Sequence, residues 1–459
     1  MLLPSVLLAA SAALAPLDGE ALLRAAGLRA DGLRRPAPVD VLASVARGDG
    51  LPSAAPSAVG MSATRLTEID RMVRRGVEAG GFPGASVVVG RKGYSVWSRG
   101  IGTLDWRPNS RAVDPVETIY DLASLTKVVA TTTAVMLLYD AGRVALDAPV
   151  VQYLPAFAGD SVRNSITVEQ LLTHRSGLPS GLDLWRLAST PAQAKALVYT
   201  APLKRAPGAA YEYSDLGPIL LGLIVEAVTE QSLDRFVTEK VFTPLGMTDT
   251  RFRPAVGEVS RIAPTEVSPP RGYPLRGEVH DENSYRLGGV AGHAGLFGTA
   301  ADLSVFAQMM LQGGIYNGRR LIADSTVQRF TRRTAGRRAL GWDTCAGEGG
   351  CGQFLTSRAY GHTGYTGTSL WIDPDHDLFV ILLSNRVHAP KSPRSAKVIM
   401  DVRHDLADAT LLAVMDDPTG VRAMPDSFRV DRQVDWVPKP PVRRARQPVR
   451  RATTTRRRG

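Results

Sequence analysis

Ser124 and Lys127 are the residues whose types and spacing most directly suggest chemistry. They lie three apart in the segment DLASLTK, ahead of an apolar run that predicts a buried helix ending at Gly142. Residues at this spacing project from one face of a helix. Burial and the positive end of the helix dipole favour the neutral form of such a lysine. The sequence therefore predicts an amine that can activate the Ser124 hydroxyl, with the backbone N–H of Ser124 available to an oxyanion.

The alternative for this pair is a helix-capping serine beside a lysine that extends to the surface. Only Lys127 among the eight lysines has a serine three residues before it. The segment YEYSD precedes another apolar helical pattern and places Tyr213 and Asp215 on the loop that enters it. A tyrosine close to Lys127 can relay protons. Taken alone, these two residues could equally be helix caps.

A third segment, GHTGY, leads into a predicted strand that begins at Ser369. Because Thr363 and Gly364 are small, they would let a substrate backbone approach the edge of a sheet. The N–H of Tyr365 would then be a second oxyanion donor. A glycine-rich entry to a strand is the structural alternative.

The three segments, in this order, resemble the serine β-lactamase and penicillin-binding-protein superfamily, and in particular its class C and esterase-like branch. The family motifs are Ser-x-x-Lys, Tyr-x-Asn and Lys- or His-Thr-Gly, matched here by Ser124 to Lys127, Tyr213 to Asp215 and His362 to Gly364. The resemblance covers about residues 60–415, and it is strengthened by LLTHRSG at 171–177 and FTPLGMTDT at 242–250.

The resemblance implies an acyl-enzyme formed on Ser124. Lys127 and Tyr213 would shuttle the proton to the leaving group, and the N–H groups of Ser124 and Tyr365 would form the oxyanion hole. Asp215 and the segment from His362 through Thr363 to Gly364 would bind substrate. We expect no cofactor and no metal.

Two positions depart from the family pattern. Asp215 stands where many members carry Asn, so we expect a negative charge in place of an amide donor. His362 stands where β-lactamases carry Lys, so a fixed cation for a β-lactam carboxylate is expected to be missing at neutral pH. Both departures count against efficient β-lactamase action.

Residues 263–297 add a narrower resemblance, to a sub-branch with exo-acting N-acetylmuramoyl-L-alanine amidases of peptidoglycan recycling and a penicillin-binding-protein-like carboxypeptidase. It rests on APTE, RG, EVHDENS and LGGVAGHAGLF. A polar row in this region predicts a pocket for a sugar-peptide, with loop anchoring as the alternative for each member; the candidates are His280, Asp281, Glu282, Asn283 and His293. A zinc site is not expected, because no His-Glu-x-x-His motif occurs.

Strand patterns near both ends and helical patterns between them predict the elements that position these groups. We expect an α+β fold, an antiparallel sheet flanked by helices, in a hydrolase domain at 60–415 with a mostly helical subdomain at about 128–306. The hairpins are predicted at 85–97 and 369–383, and helices are predicted after Ser62 and over about 392–415.

The chain of 459 residues is globular by composition, with 44% hydrophobic and 22% charged residues. Residues 1–15 read as a signal peptide, although no basic residue precedes the apolar run and Pro16 follows it; 16–59 read as a linker. A signal peptide predicts export, and therefore a periplasmic or secreted protein. In such a compartment Cys345 and Cys351 are able to form a small loop-closing disulfide.

The net charge of +11 comes mostly from the last 23 residues. Residues 437–459 carry nine basic side chains and no acid, and we expect disorder throughout the Pro- and Arg-rich tail at 416–459. Nucleic acid is not an expected partner, because the arginines lack interleaved aromatic residues. Anionic lipid or wall polymer fits the tail better.

The leading functional hypothesis is a serine hydrolase acting on peptidoglycan fragments as an amidase or peptidase. A carboxylesterase is the runner-up, and a weak β-lactamase comes third. No Gly-x-Ser-x-Gly segment occurs, which excludes the usual motif of α/β-hydrolase esterases. A non-catalytic protein that binds cell-wall fragments on the same fold is the alternative from another class.

Overall fold

A six-stranded antiparallel sheet, built from both ends of the chain, forms the centre of the fold. The structure is a computed structural model that describes residues 48–334, 336–345, 350–388 and 395–437. The strands are β1 (Gly84–Arg91), β2 (Tyr94–Gly102), β3 (Tyr120–Asp121), β4 (Arg251–Phe252), β5 (Leu296–Gly298), β6 (Ile315–Tyr316), β7 (Arg319–Arg320), β8 (Asp343–Thr344), β9 (Tyr360–Thr363), β10 (Ser369–Asp373) and β11 (Leu378–Ser384). The large sheet has the order β2-β1-β11-β10-β9-β8, and β3-β5-β4 form a smaller one. The predicted α+β architecture and both hairpins are confirmed.

Alternate residues of the central strands enter two different hydrophobic cores. Val87 and Val89 of β1 pack in one core, whereas Val88 packs in the other. Because successive side chains of a strand point to opposite faces, both faces of the sheet are covered. This burial explains why β1 and β11 are almost continuously apolar.

Helices cover the sheet and build the layer beside it. They are α1 (Ala63–Glu78), α2 (Thr133–Asp140), α3 (Val150–Tyr153), α4 (Ser161–Asn164), α5 (Val168–Leu172), α6 (Leu184–Leu187), α7 (Pro191–Tyr199), α8 (Leu216–Thr229), α9 (Leu233–Val237), α10 (Thr243–Leu245), α11 (Glu282–Arg286), α12 (Ala300–Leu311), α13 (Asp324–Thr331), α14 (Lys397–Leu412) and α15 (Arg429–Arg432). The α1 helix begins after Ser62, whose hydroxyl accepts the N–H of Arg65 as predicted.

The boundary of the helical subdomain differs from the prediction. Residues between α2 and α11 form a mostly helical layer, as expected. The α12 helix, however, packs on β1 and β11 and therefore belongs to the sheet layer. Among the described residues no single helix is long and apolar enough to cross a membrane; one bent pair, Leu216–Thr229 with Leu233–Leu245, qualifies on length and composition alone.

Both predicted terminal boundaries are wrong in part. The linker assigned to 16–59 includes residues that pack on the domain, since Leu51 lies in the core and its N–H is bonded to Ser304. The expected disorder after residue 415 does not hold for 416–437, where Trp436 is buried and donates to Asp401. Burial of apolar and hydrogen-bonding groups offsets the entropy of ordering these segments. The predicted signal peptide and the basic end of the tail lie outside the described residues.

The two cysteines are joined in the structure. Cys345 and Cys351 form a disulfide, with their Cα atoms 5.8 Å apart. This disulfide closes the short loop between the two cysteines, which the sequence had allowed but not decided.

Candidate active site

Ser124 lies at a tight turn between β3 and the first buried helix. Residues Ala123–Leu125 form a 3₁₀ turn, Lys127–Thr132 form a π-helical turn, and α2 continues to Asp140. The predicted buried helix is therefore present, but its first turns are not α-helical. Wide turns of this kind are frequent at functional sites, because they redirect side chains within a helix.

The Lys127 ammonium is surrounded by three acceptors. Its Nζ lies 2.8 Å from Ser124 Oγ, 2.8 Å from Asp215 Oδ1 and 3.1 Å from the carbonyl oxygen of His293. An ammonium group has three N–H bonds, so each can be donated to one of these oxygens. The side chain is only 3% exposed, and its position is therefore fixed.

The predicted neutral state of Lys127 is wrong. Burial is the largest single influence and would lower the pKa of Lys127, but the charge of Asp215 and the influence of Tyr213, with the hydrogen bonds to both, together outweigh burial and raise the pKa above its ordinary value. Lys127 is consequently a cation at neutral pH. Asp215 forms the ion pair that holds this charge, and its contact with substrate stays a prediction.

Tyr213 supplies the remaining partner of the Ser124 hydroxyl. Its phenol oxygen lies 3.3 Å from Ser124 Oγ. The phenol donates to Ser124 Oγ in this structure, and since both groups are hydroxyls the bond can reverse, so that the Ser124 proton passes to Tyr213. The Tyr213 ring packs against His174, with centroids 4.7 Å apart. His174 Nδ1 in turn accepts the N–H of Ser214, which fixes the imidazole.

His362 is buried on β9 beside these groups. Its Nδ1 lies 2.7 Å from the carbonyl oxygen of Thr363. Burial, with a smaller effect from Arg338, lowers the pKa of His362 to about 3. The expectation that no fixed cation stands at this position is therefore confirmed.

Gly364 approaches the turn that precedes Ser124 too closely for a side chain. A Cβ atom there would lie 2.6 Å from the carbonyl oxygen of Leu122 and 2.1 Å from Thr368 Oγ1. The glycine thus lets the two segments pack together. Tyr365 follows with its ring 63% exposed, and its role as an oxyanion donor stays a prediction.

A cleft of about 750 Å³ opens in front of Ser124. It collects candidates from all parts of the sequence: Ser124, Tyr213, Asp215, His280, Asp281, Glu282, His293, His362, Thr363, Gly364 and Tyr365. Lys127 does not line the cleft itself but is bonded to Ser124 behind it. Asn283 is directed elsewhere, because its amide bonds the carbonyl of Leu182 and the N–H of Trp185. For Asn283 the loop-anchoring alternative is therefore correct.

Two histidine–carboxylate pairs line one wall of the cleft. His280 Nε2 lies 2.7 Å from Glu266, and His293 Nε2 lies 2.9 Å from Asp281. Burial would lower the pKa of His280, but the hydrogen bond to Glu266 and the charges of Asp121, Glu266 and Glu282 together outweigh burial, and the pKa is raised. Burial would raise the pKa of Asp281, but the charge of His293 and its hydrogen bond hold it well below the usual range. In the described part of the chain, no three such side chains converge as a metal site would require.

A protein-family model with the description Beta-lactamase matches residues 69–403 of this chain. The chain belongs to the beta-lactamase family. A protein of Escherichia coli (strain K12) named "Putative D-alanyl-D-alanine carboxypeptidase" is 33% identical over 383 residues, which cover 76% of this chain and 88% of the relative.

Solved structures of the same fold are also similar. A penicillin-binding-protein homologue from Caulobacter crescentus has a TM-score of 0.61 at 21% identity and covers 77% of this chain and 99% of its own. A beta-lactamase/D-alanine carboxypeptidase from Pseudomonas syringae has a TM-score of 0.61 at 17% identity, covering 76% and 99%. These two likenesses support the fold. The family match and the E. coli relative identify this member of the beta-lactamase family as a serine hydrolase.

Several residues of this beta-lactamase-family site were not predicted. Arg337, Arg386 and Arg403 line the cleft, but none lies in a motif that signals a function. His174 lies in the segment LLTHRSG, which the sequence linked to the family without assigning the histidine a role. Asp121 opens the nucleophile segment, and its contacts depend on residues far away in the chain.

Asp215→Asn is expected to move the pH dependence of catalysis. Removing the carboxylate takes away the charge that raises the pKa of Lys127, so this lysine loses its proton at a lower pH. If catalysis needs the Lys127 cation, the alkaline limb of the kcat/KM profile moves to lower pH by at least about one unit. The measurement is hydrolysis of an activated ester between pH 5 and 10.

Asp183→Asn is the matched control, since Asp183 pairs with Arg186 on an exposed surface. Its profile should coincide with that of the wild type. A profile of Asp215→Asn that does not move, or an activity that rises near neutral pH, would contradict a required Lys127 cation.

Proposed function

We propose that this serine hydrolase removes the C-terminal D-amino acid from peptidoglycan peptides through an acyl-enzyme on Ser124. The observation that carries the proposal is a pair of arginines in the cleft, Arg386 and Arg403. A carboxypeptidase must bind the free carboxylate of its leaving group, and guanidinium groups suit carboxylates.

Both arginines are attached to the turn that follows β9. Arg403 Nη2 lies 2.7 Å from the carbonyl oxygen of Gly364 and 2.8 Å from that of Thr368, and Arg386 Nε lies 2.8 Å from that of Tyr365. In the described part of the chain, neither guanidinium forms an ion pair. The nearby carboxylate of Glu266 is bonded to His280, and this bond, with a smaller effect from the charge of Arg386, lowers the pKa of Glu266.

The charge of this pair is costly without an anion. Arg403 is buried, its Nε has no hydrogen-bond partner among the described residues, and burial lowers its pKa to about 9, with Arg386 adding to the effect. A bound carboxylate would offset the repulsion between the two guanidinium groups. The arginine pair would supply the positive charge that is missing at His362.

Proton transfer follows from the geometry around Tyr213. Ser124 Oγ attacks the peptide carbonyl while its proton passes to Tyr213, which donates its own proton to the leaving nitrogen. The C–N bond then breaks, and the D-amino acid leaves. Water attacks the ester by the reverse relay, giving the shortened peptide and free Ser124. Lys127 remains an ammonium throughout and stabilises the negative charge that develops on Ser124.

The name of the E. coli relative supports this substrate, and the amidase-like segment around His280 favours a related bond in the same polymer. An extracytoplasmic location is part of the proposal, because peptidoglycan peptides are found there. The Cys345–Cys351 disulfide is compatible with an oxidising compartment.

The test is mass spectrometry of N-acetylmuramoyl-pentapeptide ending in D-Ala-D-Ala after incubation with the full chain. Loss of one alanine residue is the expected result. Free N-acetylmuramic acid with intact peptide would instead establish an amidase. Intact substrate, together with hydrolysis of p-nitrophenyl acetate, would reject both and establish a carboxylesterase.

Arg386→Gln is expected to remove the preference for a free carboxylate. With the wild type, kcat/KM should be higher for an acyl-D-Ala-D-Ala peptide than for its C-terminal amide; with the variant the ratio should fall about 10-fold or more. The amide substrate should be hydrolysed equally by both proteins. Arg358→Gln is the control, because Arg358 is an exposed partner of Asp375. An unchanged ratio would show that Arg386 does not bind the carboxylate.

A further inference from the structure

Asp121 joins three segments that surround the cleft. Its Oδ1 accepts the N–H of Ala123 at 2.8 Å, and its Oδ2 accepts the N–H of His280 at 2.7 Å. Its carbonyl oxygen accepts the hydroxyl of Thr366 at 2.7 Å. Asp121 is only 2% exposed, so water does not compete for these bonds. One residue thus ties the nucleophile turn to two other walls of the site.

The bond to Ala123 holds an unfavourable backbone conformation. Ala123 has a φ of +46°, in the left-handed region that a residue with a Cβ seldom adopts. Its conformation sets the direction of the next peptide, which carries the N–H of Ser124. Such a conformation persists only when the surroundings hold it, and the Asp121 carboxylate provides this hold.

Two further hydrogen bonds join the turn before Ser124 to the segment that follows Tyr365. Thr366 donates to Asp121, and Thr368 donates to the carbonyl oxygen of Leu122 at 3.0 Å. The His280 ring, whose backbone Asp121 holds, stacks on the Tyr365 ring with centroids 5.7 Å apart. Tyr365 is therefore constrained from both sides by groups bonded to the same turn.

We propose that Asp121 is a positioning residue that sets the spacing between the N–H groups of Ser124 and Tyr365. The inference rests on the proposed oxyanion hole, but not on a peptidoglycan substrate. Asp121 touches no reacting atom, and it acts through the Ala123 peptide and through Thr366. Asp121 should affect the stability of the tetrahedral intermediate rather than substrate binding, because only the tetrahedral oxyanion needs both N–H donors at once.

Asp121→Asn is the direct test, since it keeps the size of the side chain but turns an amide donor towards one of the two N–H groups. We expect kcat/KM for p-nitrophenyl acetate to fall about 10- to 100-fold. The affinity for phenylboronic acid, which forms a tetrahedral adduct on the serine, should fall by a similar factor. Binding of acetate, a planar product, should be nearly unchanged.

A second variant keeps the test decisive if Asp121→Asn does not fold. Thr366→Val removes one hydroxyl at constant shape and should lower the boronate affinity in the same direction. Thr410→Val is the control, because the buried Thr410 hydroxyl donates to the carbonyl of Leu406 within α14, away from the Ser124 turn. Boronate affinity that is unchanged in Thr366→Val, or in a folded Asp121→Asn with reduced kcat/KM, would overturn the proposal. Ester hydrolysis without peptide cleavage would reject the proposed substrate alone.

Discussion

Ser124→Ala is expected to reduce turnover of every substrate by at least about 10³-fold while the protein stays folded. The loss follows because no acyl-enzyme can form without the hydroxyl. Stability should change little, since among the described residues Ser124 Oγ is hydrogen-bonded only to Lys127 and Tyr213. Steady-state kinetics with p-nitrophenyl acetate, beside a thermal unfolding curve, measures both effects.

Ser165→Ala is the matched control for this experiment. Its hydroxyl donates to the carbonyl of Val162 at an exposed site outside the cleft, so wild-type activity is expected. Labelling by a fluorophosphonate should likewise disappear only in Ser124→Ala. Retained turnover or labelling in that variant would show that another residue is the nucleophile. It would also favour a non-catalytic role for the Ser124 pocket.

Lys127→Met is expected to slow acylation by about 10²- to 10³-fold. The variant leaves Ser124, Asp215 and the carbonyl of His293 without the cation that joins them. Lys127→Arg should not restore the rate, because a planar guanidinium cannot direct its N–H groups to these three oxygens as an ammonium does. Single-turnover measurement of acyl-enzyme formation tests this step directly.

Lys195→Met controls for the loss of a lysine ion pair, because Lys195 binds Glu226 on the helical layer, away from Ser124. It should acylate at the wild-type rate. A normal rate in Lys127→Arg would mean that positive charge alone is sufficient. That result would contradict the geometric role given to the three N–H bonds.

The sequence was sufficient to predict the sheet, because apolar strands with Gly or polar turns carry a local signal at both ends of the chain. It was also sufficient to group Ser124 with Tyr213, which lie in short motifs and are 3.3 Å apart in the structure. The charge of Lys127 was not predictable in the same way. Local burial argued for a neutral amine, whereas the deciding carboxylate, Asp215, comes from a distant loop.

Arg386 and Arg403 could not be predicted as site residues, again because their partners are distant in the chain. Arg386 follows a buried strand and Arg403 lies within a helix, and neither position has a spacing that indicates binding. Only the fold brings both to the turn after β9. Asn283 shows the opposite error, since a run of neighbouring polar residues suggested one pocket although the α11 helix begins there and turns Asn283 away from the cleft.

The α14 helix connects the end of the described chain to the catalytic cleft. Arg403 faces the turn after β9, while Asp401 and Asp405 accept the indole of Trp436 and the N–H of Val430. A chain cut after residue 415 would lack the donors that Trp436 and Val430 provide to these two carboxylates, only one turn from Arg403. A stable fragment is therefore expected to extend to about residue 437, well past the family-matched segment 69–403.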